Sequence, residues 1–259
     1  MNSFKKTDIY KAYMKSPYRS IKHLSYFHTY PELLESYRNK KITFVEIGVL
    51  DGGSLFMWRE FFGPKARIIG VEFNPDAKRW EKDGFEIYIG SQSDKKFWDR
   101  FFKKIGSVDI ILDDGGHTNE QQIVTAYKTI PHIKDGGMLI VEDTHASYMT
   151  RFGNPSSVSF IEWCKSLIDN INSRFPNIHQ SRLPYKNHVS SIQFYESIVC
   201  FHIDRTKCIV NKSITNKGIT VGARDYRYKG IFLEKIRIKS RWISWIYLKI
   251  KEQKLRKYF

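Results

Sequence analysis

Short runs of apolar residues along this chain end at acids or glycines, and polar, helix-periodic stretches separate them. Thr43-Phe44-Val45-Glu46-Ile47-Gly48, Arg67 to Glu72, Phe85 to Gly90, Val108 to Leu112 and Met138 to Val141 each have the length and composition of a buried strand. Between them, Ser54 is placed to cap a helix from Leu55 to Phe62, which Gly63-Pro64 ends. Lys95 to Ile105 sets Phe97, Trp98, Phe101, Phe102 and Ile105 on one helical face. Thr118-Asn119-Glu120-Gln121 fits a capping box, with Ile123, Ala126, Tyr127, Ile130 and Ile133 following at 3.6 spacing. Asp135-Gly136-Gly137 then turns into the fifth strand. Strict alternation of strand and helix predicts an α/β fold, a doubly wound and mostly parallel sheet with right-handed crossovers. Ser191 to Tyr195 and Ile198 to Ile203, joined by Glu196-Ser197, read as a closing antiparallel hairpin, giving seven strands.

Both ends of the chain differ from this core. The first forty residues are basic and mixed. Pro31 to Tyr37 reads as a helix with proline in its first turn, and residues 1–40 as a helical lid. Residues 41–205 form the sheet domain and 206–259 a basic C-terminal extension. From Lys229 to Phe259, ten Lys/Arg face two Glu, so this tail carries half of the net charge of +16. Trp242, Ile243, Trp245, Ile246, Tyr247, Leu248 and Ile250 are interleaved with the cations, as in a basic amphipathic helix. Such a segment can lie on an anionic membrane, pack on a domain or subunit, or bind nucleic acid. The charge implies an anionic partner of some kind.

Other classes are disfavoured. Cys164, Cys200 and Cys208 have neither the number nor the spacing of a disulfide framework, which suits a reducing cytosol. Met1 to Tyr10 lacks an apolar signal region, and no apolar run is long enough to span a bilayer. The expected location is cytoplasmic, with peripheral contact at the inner face of the membrane as the tail's implication.

The chemistry sits at strand ends. Glu46-Ile47-Gly48-Val49-Leu50-Asp51-Gly52-Gly53-Ser54 is a strand, an acid and a glycine loop opening a helix, where free N–H groups can meet a ligand. Its spacing is not that of a nicotinamide-binding loop. Glu72, closing the second strand, is placed to accept hydrogen bonds from ribose hydroxyls. Asp113-Asp114 and Glu142-Asp143 end two further strands. If those strands are neighbours, four carboxylates and His117 converge, and such a cluster repels itself without a proton or cation. Asp114, Glu142 and Asp143 are hard oxygen ligands suited to Mg²⁺ (or Mn²⁺) rather than zinc. His117 beside them is a candidate general base.

The ordered set of motifs resembles the class I S-adenosylmethionine-dependent methyltransferases, and within them the metal-dependent sugar O-methyltransferases of macrolide biosynthesis (mycinamicin and macrocin type) and the related cephalosporin hydroxylase-like group. The resemblance covers roughly Ser20 to Ile203. It rests on V-E-I-G-V-x-x-G-G-S-L-x-M-W from Val45, I-x-G-V-E from Ile68, G-S-Q-S-D from Gly90, L-D-D-G-G-H from Leu112 and G-G-x-L-I-V-E-D-T-x-x-S-Y from Gly136, with Ile192 to Val199 similar to the family's last hairpin. It implies that Glu46, Gly48, Gly52, Gly53, Ser54, Glu72, Ser91, Gln92 and Asp113 hold the methyl donor. It also implies that Asp114, Glu142 and Asp143 hold Mg²⁺ and that His117 is the base. Lys22, His28 and Tyr30 stand where the family has a Lys and an H-x-Y pair; with His145 and Tyr148 they are candidates for the acceptor. Ser20-Ile21-Lys22 departs from the family's Thr-Asp-Lys, and the basic tail lies outside the pattern.

The expected reaction is methyl transfer from S-adenosylmethionine to a sugar hydroxyl, with a bacterial surface polysaccharide or another glycoside as acceptor. An RNA-directed methyltransferase is a rival that the charge favours, although no RNA-binding motif is present. A small-molecule, antibiotic-type O-methyltransferase, a non-catalytic binder and a metal-dependent glycosyltransferase are the others. A homo-oligomer is left open, and the acceptor sugar is not legible.

Overall fold

The computed structural model describes residues 3–152, 154, 156–176, 178, 185–222 and 240–256. Two compact units appear, residues 1–212 and 213–259. The first holds a seven-stranded sheet in the order β3-β2-β1-β4-β5-β7-β6. Its strands are β1 (Thr43–Ile47), β2 (Arg67–Glu72), β3 (Glu86–Ile89), β4 (Val108–Asp113), β5 (Ile133–Val141), β6 (Val189–Tyr195) and β7 (Ile198–Ile203). The first five are parallel, and the β6–β7 hairpin adds to β5 antiparallel through β7. The helices are α1 (Asp8–Lys15), α2 (Tyr26–Leu34), α3 (Gly53–Phe62), α4 (Lys95–Ile105), α5 (Asn119–Thr129), α6 (Phe160–Asn172) and, in the second unit, α7 (Arg241–Leu255).

The period of two along each strand sorts its side chains between two cores. Phe44, Ile68, Ile110, Leu112, Ile140 and Cys200 face one core, shared with α1, α2 and α3. Val45, Ile47, Ile69, Val71, Ile111, Leu139, Val141 and Phe201 face the other, shared with α4, α5 and α6. The same alternation sends Glu46, Asp114 and Glu142 toward the first layer and Asp113 toward the second. Ile9, Tyr26, Tyr30 and Leu34 are fully buried in the first core. At roughly 2 kcal/mol for each large apolar side chain, they tie the helices of residues 1–40 firmly to the sheet. The linker between α1 and α2 has no regular secondary structure.

Several expected elements shift. The helix expected to start at Pro31 begins at Tyr26, with Pro31 inside it and a 3-10 turn over Glu35–Tyr37. Burial of Tyr26, Phe27 and Tyr30 outweighs the backbone bond that proline removes. Ser54 does not cap α3: Gly52, in the left-handed region, stands at the cap, and the Ser54 hydroxyl donates to Glu46 instead. Helix α5 stops at Thr129, and Ile133 already pairs with Val108 in β5, so the Asp135-Gly136-Gly137 turn is an irregularity inside that strand. The capping box at Thr118 and Gln121 and the buried face of Phe97, Trp98, Phe101 and Phe102 form as expected.

In the second unit, α7 is capped by the Ser240 side chain. Trp242 and Trp245 are exposed. The helix is less amphipathic than expected. Its apolar residues crowd the N-terminal half on nearly all sides, while Lys249, Lys251 and Arg256 gather in the C-terminal half. Residues 229–239 and 257–259 of the expected tail lie outside the described residues. Among the described residues, no helix is long and apolar enough to cross a membrane.

Candidate active site

The carboxyl ends of β1, β2, β4 and β5 border a cavity of about 440 Å³, lined among others by Gly48, Ser54, Glu72, Ser91, Gln92, Asp114, His117 and Asp143. Gly48 has φ +89, and a Cβ there would stand 2.1 Å from the Asp114 carbonyl oxygen. Only glycine lets the β1 loop pass that close to the end of β4. Glu72 accepts backbone N–H bonds from Val49 (2.8 Å), Leu50 (3.2 Å), Phe73 (2.8 Å) and Asn74 (3.0 Å). Burial pushes its carboxyl up, but these four donors outweigh that and hold it below the ordinary glutamate value. All four lone-pair directions of Glu72 are thus engaged, and a ribose hydroxyl would have to share one.

Other residues expected at the methyl donor sit behind the cavity wall. Glu46 is fully buried and accepts from Ser54 Oγ (2.8 Å) and Trp58 Nε1 (3.0 Å). Burial raises its pKa to about 7, against the pull of Lys22. Asp113 turns to the opposite face, where Gln92 Nε2 donates to both its oxygens at 3.0 and 3.1 Å and the Gly115 N–H donates at 3.1 Å. Burial again dominates and raises its pKa to about 7. Gln92 also accepts from the Gly116 N–H (2.8 Å), so it fixes the loop that carries His117. Gly52 and Gly53 serve backbone packing: added Cβ atoms would stand 2.4 Å from the Trp80 ring and 2.4 Å from the Tyr18 and Arg19 carbonyls.

The four carboxylates therefore do not converge as one group. Asp113 leaves by the alternation of β4. Glu142 is wholly buried; its oxygens accept from Tyr30 OH (2.5 Å) and Lys22 Nζ (2.8 Å). Burial pushes the Glu142 carboxyl up while the Lys22 ammonium draws it down. Lys22 Nζ also lies 2.7 Å from Asp114 Oδ2, with its side chain 1% exposed. Burial alone would deprotonate this lysine, but Asp114 and Glu142 keep it charged.

What remains open to the cavity is Asp114, His117 and Asp143, whose candidate ligand atoms lie within 4.8 Å of one another. His117 Nε2 is 3.3 Å from Asp143 Oδ2, and its buried Nδ1 has no partner among the described residues. Asp143 also faces His23 Nε2 at 3.4 Å, His145 Nδ1 at 4.0 Å and the Tyr26 hydroxyl, which donates to it. Ser197 Oγ is 2.7 Å from His145 Nδ1. His117, Asp143 and Ser197 all have left-handed backbones (φ 59, 53 and 61), as does Leu50 (φ 42) at the cavity. Such conformations cost of order 1–3 kcal/mol each outside glycine and concentrate where a site is over-determined by its surroundings.

Immediately beyond Asp143, Thr144, His145 and Tyr148 line a second cavity of about 1100 Å³ with His23, His28, Ile161, Lys165 and Phe194. Of the expected acceptor residues, His28, His145 and Tyr148 line this cavity, whereas Lys22 and Tyr30 are buried against Glu142. His23, Tyr26 and Ser197 were not anticipated. Their only sequence signal is local: His23 and Tyr26 lie within the Lys22-to-His28 stretch, and Ser197 is in the hairpin turn.

This arrangement is a Rossmann-like methyltransferase fold, and residues 45–144 match the family model described as a methyltransferase domain. Among curated proteins, the chain is similar to mycinamicin VI 2''-O-methyltransferase of Micromonospora griseorubida, 30% identical over 73% of this chain and 48% of the relative. Demethylmacrocin O-methyltransferase of Streptomyces fradiae is 27% identical over 73% of this chain and 49% of its own length. The chain spans about half the length of these relatives. Among solved structures, the MycE methyltransferase of mycinamycin biosynthesis, in complex with Mg and SAH, superposes with a TM-score of 0.69 at 25% identity. The match covers 86% of this chain and 58% of that one. A further MycE structure contains Mg, SAH and mycinamycin VI.

Proposed function

We propose that the chain is an S-adenosylmethionine-dependent O-methyltransferase that acts on a sugar hydroxyl of a glycoside, assisted by Mg²⁺ or Mn²⁺. The observation that carries this reading is the meeting of His117 with Asp114 and Asp143 in the smaller cavity at the carboxyl edge of the sheet, Asp143 standing one residue before Thr144 of the larger. The likeness to a mycinamicin VI 2''-O-methyltransferase and a demethylmacrocin O-methyltransferase supports it.

The smaller cavity would take the methyl donor. Its Gly48 loop allows close approach, Glu72 would meet the ribose, and Ser91 and Gln92 line the wall. The donor supplies an electrophilic methyl group on a sulfonium. The acceptor sugar would enter the larger cavity, where His28, His145 and Tyr148 offer hydrogen bonds and Ile161 and Phe194 offer apolar surface for an aglycone.

Asp114 and Asp143, with His117 beside them, fit a hard divalent cation. When bound, the cation lowers the pKa of the acceptor hydroxyl and orients it. His117 would take the hydroxyl proton as the new bond forms, and Asp143, 3.3 Å away, would stabilise the resulting imidazolium. Tyr26 holds the Asp143 carboxylate in place through its hydroxyl. Glu142 would act from behind, through Tyr30 and Lys22.

The finer acceptor reading, a growing surface polysaccharide at an anionic membrane, rests on the charge of residues 229–259 and on exposed Trp242 and Trp245. The decisive test is calorimetric titration with S-adenosylhomocysteine, with and without Mg²⁺. It is followed by incubation with S-adenosylmethionine and a panel of deoxysugar glycosides, read by a mass gain of one methyl group. Binding near one site per chain and Mg²⁺-dependent product are expected. Absence of S-adenosylhomocysteine binding under both conditions would remove the methyltransferase reading.

A further inference from the structure

Lys22 holds the position between the two acidic strand ends. Its ammonium bonds to Asp114 Oδ2 at 2.7 Å and to Glu142 Oε2 at 2.8 Å, with 1% of the side chain exposed. It arrives from the linker between α1 and α2, far along the chain from both acids. That linker is pinned at Ser16, whose hydroxyl donates to the Gly53 carbonyl at 2.7 Å, and at Ser20, whose carbonyl accepts from Tyr13 OH at 3.1 Å. The Tyr18 ring packs 4.5 Å from Trp80. Beyond these points Ile21 and Leu24 are 65% and 64% exposed. Nothing apolar therefore holds the two residues next to Lys22 and His23, whereas the helices on either side are anchored in the core.

We propose that Lys22 is a resident counter-cation that competes with the divalent ion for Asp114 and Glu142, so that a cation binding both acids must expel the Lys22 side chain from between the strands. This deepens the proposed function and rests on it for the presence of a cation site. Two carboxylates facing one another need one positive partner, and a site filled by an ammonium has no room for a second cation at the same oxygens. With Lys22 in place, Glu142 is wholly buried, with Lys22 against one oxygen and Tyr30 against the other. Asp114, His117 and Asp143 are then the cluster's members that line the smaller cavity. With Lys22 out, Glu142 Oε2 and Asp114 Oδ2 are freed, and the donor set grows from two carboxylates to three. The same movement would carry the linker: Arg19, Ser20 and Ile21 line the smaller cavity, and His23, Leu24 and Ser25 the larger. Cation binding and the shape of both cavities would thus be coupled through one side chain.

Lysine footprinting reads this directly. The full chain is labelled with an amine-reactive ester with and without saturating Mg²⁺, and modification of Lys22 is measured by mass spectrometry. Protection without the ion and at least about five-fold faster labelling with it is expected, from a side chain that moves from buried to exposed. In parallel, Mn²⁺ affinity is measured by calorimetry for wild type, Lys22→Met, Lys22→Gln and Asp114→Asn. Both Lys22 variants should bind at least ten-fold tighter than wild type, since they remove a competing charge, and Asp114→Asn should bind more weakly. Equal or weaker binding by both Lys22 variants, while Asp114→Asn still weakens it, overturns the competition and leaves the cation site standing. Unchanged Lys22 protection at saturating Mg²⁺ does the same. No Mn²⁺ binding by wild type or either variant removes the cation site and this proposal with it, and S-adenosylhomocysteine titration then decides separately whether the methyl-donor reading survives.

Discussion

Glu142 and Asp143 are neighbours in sequence and opposites in environment. Glu142 points into the first core, has no exposure, and receives two hydrogen bonds from side chains of the N-terminal segment. Asp143 turns off the strand into a left-handed backbone, keeps 19% of its side chain exposed and faces three imidazoles and a phenol. The first carboxylate has its partners supplied by the chain. The second is surrounded by groups that can also serve a ligand. Adjacent acids just past a strand end thus divide between one closed into the fold and one left open to the cavity, and the left-handed turn at Asp143 makes the division.

The strongest test of that division is on the chemical side. His117→Ala should lower turnover by about 10²–10⁴-fold, the range for loss of a general base, with S-adenosylhomocysteine affinity kept. Turnover at wild-type level would take His117 out of the reaction. On the structural side, Glu142→Gln leaves Lys22 buried beside one remaining carboxylate. It should cost about 1–3 kcal/mol in chemical denaturation, as for buried hydrogen bonds lost or misdirected, because Asp114 still pairs with the ammonium. Asp143→Asn should change stability by about 1 kcal/mol or less, as for a partly exposed site, while removing the response of activity to Mg²⁺. Equal stability losses would erase the contrast.

A smaller effect follows from pH. Glu46 and Asp113 both have folded-state values raised to about 7, so the folded chain keeps protons that the unfolded chain releases. Their contribution to stability is therefore fullest below the unfolded carboxylate range and is lost as pH rises through about 7. Urea midpoints measured from pH 5 to 8 should fall, and Asp113→Asn should flatten the slope. A rising midpoint whose slope the variant leaves unchanged would contradict this. Least in size is the tail: trimming from about Lys235 should reduce sedimentation with anionic liposomes by removing most of its cations and both tryptophans. Equal sedimentation of the trimmed and full chains would show that the tail is no membrane anchor.

The order of strands and helices was legible because apolar runs, glycines and caps are local signals. The Thr118 box, the aromatic face of α4 and the β6–β7 hairpin need only near neighbours in sequence. The start of α2 was not legible, since Pro31 signals a first turn and only the burial of Tyr26 and Tyr30 carries the helix past it. Ser54 read as a cap because that role is local; its actual partner, Glu46, is met only after the strand and helix pack.

The candidate site divides in the same way. By itself the sequence determined that acids and a histidine stand at the carboxyl ends of β4 and β5, because strand length and the glycine turns fix where each run stops. It also determined the small-residue loop after β1, since an added Cβ at Gly48 would collide with the backbone after β4. Tertiary structure alone decided which carboxylates meet. Asp113 is carried to one face and Asp114 to the other by the pleat, Glu142 is closed off by Tyr30, and Lys22 is brought from a distant linker to lie between two strand ends. Those pairings depend on long-range packing and on the desolvation of charge, and neither is written in the spacing of residues along the chain.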